Sequence, residues 1–210
     1  MLLASWQACA LPMGSQGTWM VMGDHAPQGQ ELAANYAVTR RDAFGLTLGS
    51  WNERMHAGAP GGHMQRRDFS GLTYTRQLQR WNLPDAQANL WLIAGAGSVR
   101  AQERAGSETL GTIGVLADYE TTRLYAAAGM KVMRAGNLRH DTAYTRAGFS
   151  FYEVEYEDVQ PWFILEAKRE RYAHDSKQRV TPMLRFIHRR YFVEVGRNTD
   201  ATMVNFMLNF

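Results

Sequence analysis

The sequence predicts an all-β fold, a closed antiparallel up-and-down transmembrane β-barrel of twelve strands, with ten as the alternative count. Three observations carry this expectation. Apolar residues recur at every second position rather than with helical spacing. Turn-type clusters break the chain at short, fairly regular intervals. In each well-marked segment one face carries no charge while the other carries charge, glycine or amide. No run of 18 or more apolar residues occurs, so no helix is available to cross a bilayer. A sheet that enters hydrocarbon must close on itself, because lipid offers no partner to an unpaired backbone N–H or C=O.

The first five strands are expected at about 17–25, 31–38, 43–53, 69–78 and 87–100, set off in part by the turn-type stretches "VTRRDA" (38–43) and "RWNLPDAQ" (80–87). In the sixth, about 109–121, Ile113, Val115, Ala117 and Tyr119 oppose Thr112, Gly114, Leu116 and Asp118. The seventh, about 123–134, follows "YETTRL" (119–124). In the eighth, about 142–152, Thr145, Ala147, Phe149 and Phe151 oppose Tyr144, Arg146, Gly148 and Ser150. The ninth, about 161–173, follows "EYEDVQP" (155–161) and sets Phe163, Leu165 and Ala167 against Trp162, Ile164, Glu166 and Lys168. The tenth and eleventh, about 179–188 and 190–198, meet at "HRRY" (188–191), and in the eleventh Tyr191, Val193 and Val195 oppose Phe192, Glu194 and Gly196. The last, about 201–210, alternates Val204, Phe206, Leu208 and Phe210 with Met203, Asn205, Met207 and Asn209.

A soluble sandwich would bury the uncharged face, whereas a membrane barrel turns it to lipid and keeps polar groups inside. On that arrangement Asp118, Lys131, Arg146, Glu166, Lys168, Arg185 and Glu194 line the lumen. With four basic and three acidic groups it can pair its charges, which suits a narrow or plugged barrel or a small polar pore and opposes a strongly anion-selective one. Trp19, Trp51, Trp81, Trp91, Trp162, Tyr119, Tyr191 and Phe210 are candidates for aromatic girdles, several of which could equally face the lumen.

Residues 17–210 read as one barrel domain and residues 1–16 as the remnant of an export signal or leader. The leader ends near Ala8-Cys9-Ala10, an A-x-A pattern, without a basic n-region. An ordinary N-terminal strand and a lipoprotein acylated on Cys9 are the alternatives. Cys9 is the only cysteine, so no internal disulfide forms. A formal charge of +3 gives no global basic field for nucleic acid.

If both termini face the periplasm, strand parity places His25, His56, His63, His140 and His174 at the outer mouth and His188 at the opposite rim. The connection holding "MHAGAPGGHM" (55–64) is expected to be the longest, about 15 residues. Thioether and imidazole together suit a soft metal, copper as Cu(I) above all. Met55, His56, His63 and Met64 are the candidate ligands, with His25 as a helper. The bland alternative is a surface loop that happens to carry two histidines. No catalytic set is expected: the nearest to a His-x-Ser pair is "HDS" (174–176), and it falls in a loop.

The C-terminal pattern Val204, Phe206, Leu208, Phe210 resembles the signal that ends bacterial outer-membrane barrels. It implies location in that membrane, lipid as surroundings, and recognition by the barrel assembly machinery. Residues 17–51 resemble small exported β-rich proteins associated with heavy-metal efflux, and the Met-His loop resembles those of copper-resistance barrels. The resemblance implies soft-metal handling. The alternatives are a small porin for polar solutes or a structural membrane anchor.

Overall fold

The computed structural model describes residues 12–54, 64–102, 106–136, 138–155, 157–172 and 176–210. Its twelve strands are β1 (Trp19–Ala26), β2 (Gly29–Ala37), β3 (Asp42–Arg54), β4 (Met64–Asn82), β5 (Ala86–Ala101), β6 (Glu108–Thr121), β7 (Leu124–Ala135), β8 (Leu138–Ser150), β9 (Gln160–Tyr172), β10 (Ser176–His188), β11 (Tyr191–Arg197) and β12 (Thr202–Asn209). Each pairs antiparallel with its sequence neighbours, and β1 closes on β12 with Val21 opposite Leu208. Trp19 and Phe210 exchange backbone hydrogen bonds of 2.8 and 3.0 Å. We call that end of the barrel the terminal end and the other the loop end.

The two faces are inverted relative to a soluble protein. On β3 and β4 the outward row runs from Asp42 and Arg76 through Phe44 and Tyr74, Leu46 and Leu72, and Leu48 and Ser70 to Asp68. Leu46 is 59% exposed and Leu72 67%. Eight residues separate the two charged borders, which at about 3.4 Å per residue and a tilt near 40° make an apolar belt about 21 Å tall. That approaches the roughly 25 Å band of membrane barrels.

β4 begins at Met64, earlier than the expected 69, and the β3–β4 connection is therefore residues 55–63 rather than about 15 residues. The added stretch, Met64 to Asp68, contains Arg66 and Asp68, joined at 2.9 Å, so its outer face is polar. A strand rising above the belt into water needs no apolar face, so its alternation is weak. At the terminal end most turns are tight, but β8 and β9 are joined by residues 151–159, longer than expected. There Gln160 donates to the Thr122 and Tyr152 carbonyls and His188 meets the Glu157 carbonyl at 3.1 Å, pinning this connection to its neighbours.

Inside, three apolar clusters fill much of the lumen. Near the terminal end Met20, Tyr125, Trp162, Ile164, Met183, Ile187, Phe192 and Met207 pack together. Met13 packs with Ala37, Ala43 and Trp91 on the other side of that end. Toward the loop end Trp51, Phe69, Leu110, Met133, Leu138 and Tyr172 form a third cluster. Three of the girdle candidates therefore belong to the interior: Trp51, Trp91 and Trp162 are 4%, 2% and 2% exposed. Trp19, Trp81, Tyr119, Tyr191 and Phe210 remain outside. Alternation alone puts a large residue on a face, and only the packed neighbours tell whether that face needs volume.

Residues 12–16, assigned to the leader by sequence, lie within the terminal end. Met13 is buried and the Pro12 carbonyl accepts a hydrogen bond of 3.3 Å from Asn35 Nδ2.

Candidate functional site

A cavity of about 310 Å³ lies toward the loop end, lined by β1, β2, β3, β5 to β10 and β12. Strand alternation builds it. Met22 and Asp24 share the inward parity of buried Met20, and Arg146, Glu166 and Lys168 share that of Ser150 and Trp162.

Two contacts cross the lumen rather than running along its wall. Lys131 Nζ on β7 meets Glu31 Oε2 on β2 at 2.6 Å. Trp51 of β3 lies 5.5 Å from the ring of His140 on β8, and His140 stacks on Tyr172 at 4.6 Å. In a twelve-stranded ring these partners are five strands apart, so both contacts bridge nearly opposite walls. A second cavity of about 140 Å³ shares Glu31, Lys131, Ile93 and Met133 with the first and reaches down to Pro12. The Glu31–Lys131 pair is thus a bar between two chambers. The lower chamber exists because β4 and β5 present small inward residues. Gly71 and Gly97 are register partners, and a Cβ on Gly97 would stand 2.1 Å from the Ser70 carbonyl oxygen.

Below the larger cavity lies a locked ionic floor. Arg185 reaches Glu194 with Nε and Nη2 at 2.7 and 2.6 Å, and Asn205 Nδ2 donates to the other carboxylate oxygen at 2.9 Å. Arg185 also sits over the rings of Tyr125 and Phe192, 4.6 and 4.9 Å from their centroids. Arg146 bridges Glu166 at 2.7 Å and Glu194 at 3.5 Å. Nearer the mouth, Glu170 is shared by Arg179 at 2.5 Å and Lys168 at 3.3 Å.

All seven residues expected at the lumen point inward, but their surroundings differ. Lys131, Arg146, Glu166 and Lys168 line the larger cavity. Arg185 and Glu194 are fully buried in the floor, and Asp118 is tied on the far side to Asn89 and Trp91, each donating at 2.7 Å. Asp24, Glu31, Glu170 and Arg179 also line the cavity, although sequence reasoning did not assign them to the lumen. Their inward parity was the available signal, as it was for Lys131. His140, expected in a mouth loop, is instead a buried residue of β8.

Of the soft-metal candidates, Met55, His56 and His63 lie outside the described residues. Met64 stands on the outer face of β4, in step with Leu72, and His25 is exposed near the end of β1. Among the described residues no group of three or more His, Cys, Asp or Glu is placed to hold a metal. The loop ligand set requires that purified protein bind Cu(I) or Ag(I) and that His56→Ala with His63→Ala remove most of that binding. Equal affinity in the double variant dismisses it. In the "HDS" stretch His174 is outside the described residues, and Ser176 opens β10 instead of lying in a loop. Val204, Phe206, Leu208 and Phe210 form an outward apolar row on and just beyond β12.

No family model and no curated protein matches the chain. Among solved structures, KdgM porin in complex with disordered oligogalacturonate is similar with a TM-score of 0.48 at 9% identity, covering 92% of this chain and 98% of that one. LpxR from Salmonella typhimurium is similar with a TM-score of 0.49 at 6% identity, covering 92% and 99%. The translocator domain of autotransporter NalP from Neisseria meningitidis gives 0.44 at 10% identity, covering 94% and 88%. A closed sheet of twelve antiparallel strands, apolar outside and charged within, is the architecture characteristic of bacterial outer-membrane barrels.

Proposed function

We propose that this chain is an outer-membrane barrel of the transport class, whose loop-end cavity admits a small polar solute and whose terminal end restricts its passage. The carrying observation is the pair of adjoining chambers: a space of about 310 Å³ lined by charged side chains and a second of about 140 Å³ share the Glu31–Lys131 bar, and the second reaches to Pro12. A barrel that served only as an anchor has no need of interior space, since apolar side chains can fill it to crystal-like density. The balanced charge of the lining favours neither a strongly anion-selective nor a strongly cation-selective route.

Planar-bilayer recording tests the proposal. The full chain is expected to give small conductance steps. Glu31→Gln, which releases the bar, and removal of residues 12–16, which clears the floor of the smaller chamber, are each expected to enlarge them. If none of the three proteins conducts, and vesicles carrying them admit no small sugar or amino acid, the transport reading fails and the membrane-anchor role stands.

A further inference from the structure

Resting on the transport reading, we infer that the loop-end cavity is a binding site for a small dipolar ion, a solute carrying an ammonium group at one end and an anionic group at the other. Asp24 of β1 and Glu31 of β2 stand on one wall. Lys131, Arg146 and Lys168, from β7, β8 and β9, stand six, five and four strand positions from β1 around the closed ring, across the cavity from it. The charge across the cavity therefore has a direction: two carboxylates at β1 and β2, and at β7 to β9 three cations against Glu166 and Glu170.

Most of these charges are already satisfied, and the exceptions define the site. Glu31 is held by Lys131 at 2.6 Å, and Arg146 is held by Glu166 and Glu194. Asp24 faces the cavity and has no cation at ion-pair distance among the described residues. Lys168 is held by Glu170 alone among the described residues, at 3.3 Å, and the other oxygen of that carboxylate meets Arg179 at 2.5 Å, whose Nε also meets Asp200 at 3.3 Å. One wall thus offers an unpaired carboxylate and the other an ammonium with a single, shared partner, both facing the same cavity. A singly charged solute gains one contact and is repelled by the opposite wall. A dipolar ion gains both, and its net charge of zero matches a lining whose charges balance.

Titration calorimetry of detergent-folded protein provides the test, with 6-aminohexanoate as the probe and hexanoate and hexylammonium as its singly charged halves. A charge-assisted hydrogen bond contributes about 1.5–3 kcal/mol, so the probe is expected to bind at least about tenfold more tightly than either half. Asp24→Asn should weaken the probe and hexylammonium while leaving hexanoate unchanged. Lys168→Gln should weaken the probe and hexanoate while leaving hexylammonium unchanged. Both changes are near-isosteric, and circular dichroism on the same samples checks that the barrel is folded. Equal affinity for all three compounds, or a folded variant that keeps wild-type selectivity, overturns the inference. Conductance without this selectivity leaves the transport reading standing, whereas selective binding without conductance removes only transport.

Discussion

Replacing Glu194 with glutamine is expected to lower the stability of the folded barrel by about 3–5 kcal/mol, because it strands a buried cation. Glu194 is 0% exposed and Arg185 2%. Arg185 is held by two of its nitrogens and flanked by the rings of Tyr125 and Phe192, so it has no path to water. Arg146 loses a second partner in the same substitution. The measurement is the guanidinium midpoint of the detergent-folded barrel. Adding Arg185→Met to Glu194→Gln should recover most of the loss, since it removes the stranded buried cation and its desolvation penalty. A loss below about 1 kcal/mol in the single variant would mean that water reaches Arg185, and the description of a locked ionic floor would be wrong.

Leu46→Arg carries the second large effect. Leu46 is paired with Leu72 in the middle of the outer belt, four residues from Asp42 on one side, with Leu72 four from Asp68 on the other. A cation at the bilayer midplane of a membrane barrel costs about 2–4 kcal/mol, falling to about 0–1 kcal/mol near the interface. Folding into lipid vesicles, followed by the gel shift between heated and unheated samples, should show a marked fall for Leu46→Arg and little change for Asp68→Lys at the border. Were Leu46→Arg to fold equally well, and the protein to stay dispersed without detergent, the outer face would be meeting water or protein rather than hydrocarbon.

The outer surface was readable residue by residue. Strand geometry sends successive side chains to opposite faces, so Ile113, Val115 and Tyr119, or Val204, Phe206 and Leu208, declare a common side without any knowledge of the partner strand. The same parity assigns Lys131 and Arg185 to the inside. It does not say what stands opposite them. Lys131 meets a carboxylate 100 residues away, and Arg185 meets one only nine residues away across a hairpin. The metal-ligand set was drawn from local spacing alone. It joined Met64 and His25, which the fold places on exposed strand ends, with residues outside those described.

His140 shows why the candidate site was harder to read than the fold. It fell between the expected seventh and eighth strands, about 123–134 and 142–152, yet β8 starts at Leu138 and continues through it into the interior, against Trp51 and Tyr172. Strand ends above the belt carry polar residues on their outer face, so alternation fades where the functional mouth begins.

From the chain alone follow the strand class, the near-complete set of inward and outward residues, and the demand for closure. All three depend on nearest neighbours in sequence and on one property of the solvent, its lack of hydrogen-bonding groups. The tertiary structure alone decided which walls face each other: that Glu31 bars the lumen with Lys131, that Glu194 sits beneath Arg146 and Arg185, and that Asp24 and Lys168 line one cavity. Those pairings are set by the ring's curvature and register, which bring Glu31 and Lys131, five strands apart, to 2.6 Å and Glu194 to 3.5 Å from Arg146, three strands away, and no local pattern records them.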